Sequence, residues 1–196
     1  MMEKLILASS SPRRQQLLRQ IGLEFDVVPS QATEDFIDGE SPQDHVLRLA
    51  EVKARKVGEI YPNQWVIGAD TIVSIDGMIL GKPRTEREAY QMLVTLSGRD
   101  HLVVTGVSVC HGAKEKGETI GVETWVRIKT LNPEEINWYI RTGEPFDKAG
   151  GYAIQGRGAF MVQRIEGSYT NVVGLPLCEL LEVLNRMEAI DFLMKS

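Results

Sequence analysis

Asp70 is the residue most out of place in this chain. It lies within Trp65-Val66-Ile67-Gly68-Ala69-Asp70-Thr71-Ile72-Val73-Ser74-Ile75, the most strand-like run of the sequence. An ionised carboxylate in such a run is unfavourable unless a cation or a metal offsets it, which points to acid–base or metal chemistry. The bland alternative is a strand-end aspartate satisfied by local donors. A second candidate stretch is Ala8-Ser9-Ser10-Ser11-Pro12-Arg13-Arg14. Backbone N–H groups at a helix start, serine hydroxyls and two guanidinium forks suit an anion, phosphate above all. The competing reading is a capped surface helix with two solvated arginines. Lys82 between Gly81 and Pro83, Lys53 on a helix and Glu34 in a polar loop say little one at a time. Together the set suggests a polyphosphate held with a divalent cation, Mg²⁺ or Mn²⁺, because Mg²⁺ prefers carboxylate, phosphate and water oxygens. Asp70 would either deprotonate a water or hold the metal that does so. His45, His101 and His111 have no motif around them, so a Ser–His–Asp arrangement has no support. The glycine-rich Gly150–Gly158 stretch lacks both the spacing and the following helix of a dinucleotide-binding loop.

The elements that must position these groups are legible from pattern. Leu5-Ile6-Leu7-Ala8 reads as a buried strand, Ser11 as an N-cap and Pro12 as the first helical residue. The helix buries Leu17, Leu18 and Ile21, and Gly22 ends it. Phe25–Val28 predicts a strand, followed by an irregular polar stretch over 30–40. Ser41-Pro42 opens a long helix through Ile60, stopped by Pro62. Asp76-Gly77 turns the 65–75 strand back into Met78-Ile79-Leu80, and Thr85-Glu86-Arg87-Glu88 predicts a capping box for a helix ending at Gly98. His101–Cys110 and Thr119–Leu131 predict strands around a polar turn, with Val122, Thr124, Val126, Ile128 and Thr130 on one face. Asn132-Pro133-Glu134-Glu135 opens a short helix ending near Gly143. Ala159–Ile165 predicts the last strand, and Gly174-Leu175-Pro176 leads into a final amphipathic helix. The order argues for α/β with a mixed central sheet flanked by helices.

The totals set outer bounds. At 196 residues the chain suits a single domain, 1–196, with a real core. A net charge of −5 makes it a poor general nucleic-acid binder. Cys110 and Cys178 form neither a disulfide framework nor a zinc site, which points to a reducing compartment. Met1-Met2-Glu3-Lys4 and the short apolar run after it do not read as a signal peptide, and no apolar run reaches the roughly 18–20 residues of a membrane span. The expected location is cytoplasmic, with no membrane partner.

Ala8-Ser9-Ser10-Ser11-Pro12-Arg13-Arg14, Gly68-Ala69-Asp70-Thr71, Gly81-Lys82-Pro83, and Leu96-Ser97-Gly98 ahead of Thr105-Gly106 resemble, in order and spacing, the Maf family of nucleoside triphosphate pyrophosphatases. The resemblance covers nearly the whole chain. Ser10 departs from the commonest form, which has glycine between the outer serines. Arg13, Thr71 and Gln155 resemble the branch acting on dTTP and UTP; the 7-methyl-GTP branch commonly has tryptophan at the first of these places. The resemblance implies hydrolysis of a nucleoside triphosphate to monophosphate and pyrophosphate, a divalent metal, and a fold similar to inosine triphosphatases. It also implies two lobes around a nucleotide cleft and a homodimer. It assigns Asp70 as proton acceptor and Ser9, Arg13, Arg14, Lys53 and Lys82 to the phosphates. Glu34 and Asp70 go to the metal, and Arg13, Thr71 and Gln155 to substrate choice. A nucleotide sensor that binds without cleaving, and a nucleotidyltransferase needing a second substrate, remain open alternatives.

Overall fold

The computed structural model describes residues 4–190. The start Met1-Met2-Glu3, read above as no signal peptide, lies outside the described residues. The described strands form one mixed sheet in the order β2-β1-β3-β5-β6-β7, with β4 paired to β3. They are β1 Leu5–Leu7, β2 Phe25–Val27, β3 Trp65–Ile75, β4 Met78–Leu80, β5 Asp100–His111, β6 Lys116–Ile128 and β7 Val162–Glu166. The α-helices are α1 Pro12–Gln20, α2 Pro42–Ile60, α3 Glu86–Leu96, α4 Pro133–Arg141, α5 Tyr169–Val173 and α6 Leu177–Arg186. The described residues divide into two compact units, one of 4–70, Thr105–Val122 and 174–190, the other of Thr71–Val104 and Glu123–Val173. No described helix is long and apolar enough to cross a membrane.

In the first unit β1 runs parallel to both β2 and β3, with Leu7 opposite Val27 and Ile67. All three residues of β1 are buried, as an apolar central strand requires. The ladder continues past the strand end, where the Ala8 amide donates to the Ile67 carbonyl at 2.8 Å. The serine stretch therefore leaves the sheet beside Gly68, Ala69 and Asp70. α2 is amphipathic and buries Val46, Leu49, Ala50, Ala54 and Val57. It lies against β3 at Gly68, where an added Cβ would fall 2.3 Å from the Ala50 carbonyl oxygen. Any side chain at that position would force the helix off the strand.

In the second unit the expected hairpin is present, with positive φ at both Asp76 and Gly77 as its tight turn requires. Its core joins Val73, Leu93, Leu96, Val103, Val126, Ile128, Ile136, Tyr139 and Met161. Asn132 makes the full capping box with Glu135 at the start of α4. At α3 Thr85 caps the Glu88 amide, but the Glu88 carboxylate reaches back to the Arg84 amide.

Two local expectations are corrected. Ser11 holds the N-cap position without a side-chain cap; its own amide instead donates to the Ser9 hydroxyl at 3.3 Å. The last strand begins at Val162 rather than Ala159, because Gly156–Met161 winds into 3₁₀ turns. The short α5 had no periodic signal in its five residues. It is held by buried Asn171, whose side-chain amide donates to the Val103 carbonyl and the Thr124 hydroxyl.

Candidate active site

The centre of the first unit's candidate site is the Lys53 ammonium. Its Nζ lies 2.6 Å from Asp70 Oδ1 and 2.6 Å from Glu34 Oε1. Lys53 is 6% exposed and Asp70 7%, whereas the Glu34 side chain is 52% exposed. The anomaly in β3 thus has its answer: the carboxylate is offset by a buried cation from α2. The close approach at Gly68 makes this possible, since Lys53 directly precedes Ala54, whose amide nitrogen would sit 2.6 Å from a Cβ at Gly68.

The serine–arginine stretch supplies the second wall. Arg14 is buried, and its Nε donates to the Gly174 carbonyl at 2.7 Å. Its Nη1 donates to the Ala69 carbonyl at 2.9 Å and to the Ser9 hydroxyl at 3.2 Å. Burial pulls the Arg14 pKa down, opposed by the negative field of Asp70; Arg13 lowers it further and Glu34 raises it. These four charges therefore share one electrostatic neighbourhood. The two arginines, alike in sequence, differ in place: Arg14 is drawn inward onto backbone carbonyls, and Arg13 is half-buried.

Sequence reasoning missed the group that fastens the 30–40 loop. Arg48 Nε and Nη2 donate to the two oxygens of Glu40 at 2.5 and 2.7 Å. Nη2 also reaches the Asp35 carbonyl at 3.1 Å. His45 Nδ1 lies 2.9 Å from Glu40 Oε2, and Phe36 stacks on the His45 ring at 4.3 Å. Hydrogen bonds from Arg48, aided by His45 and resisted by burial, hold the Glu40 carboxyl down at about 2. One bidentate pair thus ties the loop carrying Glu34 to the helix carrying Lys53. Its only sequence signal was a glutamate just ahead of a helix N-cap, with an arginine two turns into the helix.

Thr71, Lys82 and Gln155 belong to the second unit. Thr71 is half-buried at mid-strand and Lys82 is exposed. The Gly81 carbonyl accepts from the Gly150 amide at 3.0 Å, so the Gly81-Lys82-Pro83 loop is fastened to the turn that leads to Gln155. Gln155 is half-buried and stands at the N-cap position of the following 3₁₀ turns.

No group of three or more His, Cys, Asp and Glu among the described residues is placed to hold a metal ion. The donor chemistry nevertheless fits a hard divalent cation that arrives with phosphate oxygens. Two carboxylates converge on one point, now bridged by Lys53, and Mg²⁺ is usually held by one or two carboxylates completed by phosphate and water.

Comparison with known proteins agrees with this architecture. The Staphylococcus aureus Ham1 protein superposes with a TM-score of 0.52 at 14% identity, over 95% of this chain and all of that one, a likeness of fold. A protein of Syntrophotalea carbinolica named dTTP/UTP pyrophosphatase is 54% identical over 188 residues, covering 95% of this chain and 86% of that protein. One of Geotalea uraniireducens with the same name is 53% identical over 187 residues, covering 95% and 96%. The Maf-like protein family pattern matches residues 4–187, and this chain belongs to the Maf family.

Proposed function

We propose that this chain hydrolyses dTTP and UTP to the nucleoside monophosphate and pyrophosphate. The observation that carries the reading is the buried Lys53 bridged to Asp70 and Glu34 beside the Ser9–Arg14 wall. Relatives about half identical over nearly the full length bear the name dTTP/UTP pyrophosphatase. Lys53 engages Asp70 Oδ1, which fixes the carboxylate; Oδ2 is the oxygen assigned to take a proton from water. As that proton leaves, the water oxygen bonds to the α-phosphorus, the bond from this phosphorus to the bridging oxygen breaks, and pyrophosphate departs. Such transfers depend on positioning and on stabilising charge at phosphate oxygens. Ser9, Arg13, Arg14, Lys53 and Lys82 are assigned that task. Glu34 and Asp70 would hold a divalent cation, whose contribution is to neutralise phosphate charge.

Thr71, Gln155 and Arg13 are assigned to base choice. Uracil and thymine present an acceptor O4 beside a donor N3–H, and a carboxamide held one way round can serve both. Cytosine reverses both groups, and each buried mismatch costs roughly 1–3 kcal/mol. The test is kcat/KM for pyrophosphate release from dTTP, UTP, CTP, GTP and 7-methyl-GTP with Mg²⁺ or Mn²⁺. dTTP and UTP are expected to lead CTP by about tenfold or more. Binding without pyrophosphate release would identify a sensor instead. Turnover that requires a second substrate would identify a nucleotidyltransferase.

A further inference from the structure

We propose that Glu144 is a positioning residue for base selection: its carboxylate caps the turn that begins at Gln155 and so fixes where the Gln155 carboxamide stands. The proposal rests on the reading of Gln155 as a base contact. At an N-cap, the residue's own side chain ordinarily accepts from the amides two and three positions on. Gln155 occupies that position and makes no such bond. The acceptor comes from elsewhere in the chain. Glu144 Oε2 takes the Arg157 amide at 3.0 Å, and Oε1 takes the Gly158 amide at 3.0 Å. Oε1 also accepts from the Tyr139 hydroxyl at 3.0 Å, and Tyr139 is fully buried on α4. The two N–H groups that Gln155 would satisfy are thus already paired, which leaves its carboxamide for another partner.

The chain is shaped to admit this carboxylate. Gly156 has φ +66°, and a Cβ there would lie 2.9 Å from Glu144 Oε2. Gly158 is as tightly placed, with the Tyr139 hydroxyl 2.8 Å from its Cβ position. Burial works to raise the Glu144 pKa, but the Arg157 and Gly158 amides and the Tyr139 hydroxyl hold it below the usual range. The carboxylate is therefore ionised at neutral pH, with both oxygens acting as acceptors.

The test compares kcat/KM for dTTP with that for CTP in wild type, Gln155→Ala, Glu144→Gln and the double variant. Glu144→Gln keeps the shape but turns an NH₂ toward one of the two amides. The dTTP-to-CTP ratio is expected to fall about tenfold, with no further fall when Gln155→Ala is added. A purely structural role lowers both substrates by one factor, and an unchanged ratio in Glu144→Gln beside a collapsed ratio in Gln155→Ala overturns the positioning role alone. An unchanged ratio in Gln155→Ala overturns the reading of Gln155, and this proposal with it. If Glu144→Gln does not fold, Tyr139→Phe decides, since it removes one of the three donors. A roughly threefold fall in the ratio supports the proposal, on the scale of one lost hydrogen bond, and no change overturns it.

Discussion

Replacing Lys53 with methionine tests whether the buried cluster works as one unit. The change keeps most of the side-chain volume and removes the charge lying 2.6 Å from Asp70 and from Glu34. Removing one partner of a buried pair costs roughly 3–5 kcal/mol, because the other charge is left uncompensated. Glu34, half-exposed, adds at most about 1 kcal/mol, and the Arg14 field softens the loss at Asp70. Lys53→Met is therefore expected to lower stability by about 3 kcal/mol at pH 7, the lower end of that range. Asp70→Asn leaves Lys53 its bond to Glu34, so its cost is smaller. The double variant carries neither charge of the pair and is expected to be more stable than the sum of the single effects by about 2 kcal/mol. Urea denaturation of all four proteins measures this coupling. Each single variant is also expected to lose about 10²- to 10⁴-fold in kcat with dTTP. The losses in the double variant should not multiply, since residues that act as a unit are non-additive. Stabilities that add to within about 0.5 kcal/mol would refute the coupling, and near-normal kcat in folded Asp70→Asn would refute the proton-acceptor role.

Below pH 6.5 the protein should lose stability through His101. Burial pushes its pKa down to about 4, only weakly resisted by Asp100, so the unfolded chain takes up the proton first. The contribution is complete above about pH 6.5 and falls by about 3 kcal/mol on the way to pH 4, a slope that His101→Gln should flatten in a series of denaturation midpoints. Glu40 acts lower: its stabilisation is complete above about pH 4.5 and is lost as pH falls towards 2. Arg48→Met, which releases the loop carrying Glu34, is expected to lower kcat/KM for dTTP about tenfold, as the loss of a charged hydrogen bond would, while thermal unfolding shows a folded protein. EDTA should abolish pyrophosphate release and Mg²⁺ or Mn²⁺ restore it; full activity without metal would show that the basic side chains suffice. Sedimentation at micromolar concentration is expected to find a dimer, and a monomer would count against it.

How far the site was legible depended on whether a residue broke a one-dimensional pattern. Asp70 did, as a carboxylate in an apolar strand, and the structure gives it a buried partner. Lys53 did not, because a lysine on an amphipathic helix looks the same whether its head meets water or a carboxylate. Its burial follows from the contact between α2 and Gly68, a distance that no spacing along the chain encodes. Arg13 and Arg14 read as two equivalent forks, and only the tertiary acceptors Ala69 and Gly174 separate them. The elements were easier to read, since caps, glycine stops and alternation are local. They failed where long-range bonds override local preference, as when Glu144 caps the turn at Gly156 ahead of β7.

The same geometry explains how a chain of net charge −5 can receive a polyphosphate. Lys53 and Arg14 are cations, Asp70 and Glu34 anions, and their formal charges cancel within one neighbourhood. Such a cluster can exist buried without a ligand, which a set of bare cations could not. The same neutrality leaves it little net attraction for a substrate bearing several negative charges. Arg13, half-buried, adds one positive charge, and on the proposed reading Lys82 and a divalent cation arriving with the phosphates would supply the rest. On the proposed reading, a metal requirement and the ion pair would be two consequences of one arrangement. A positive site strong enough to work alone would be unstable when empty, and the carboxylates that make it stable are the groups that would hold the divalent ion.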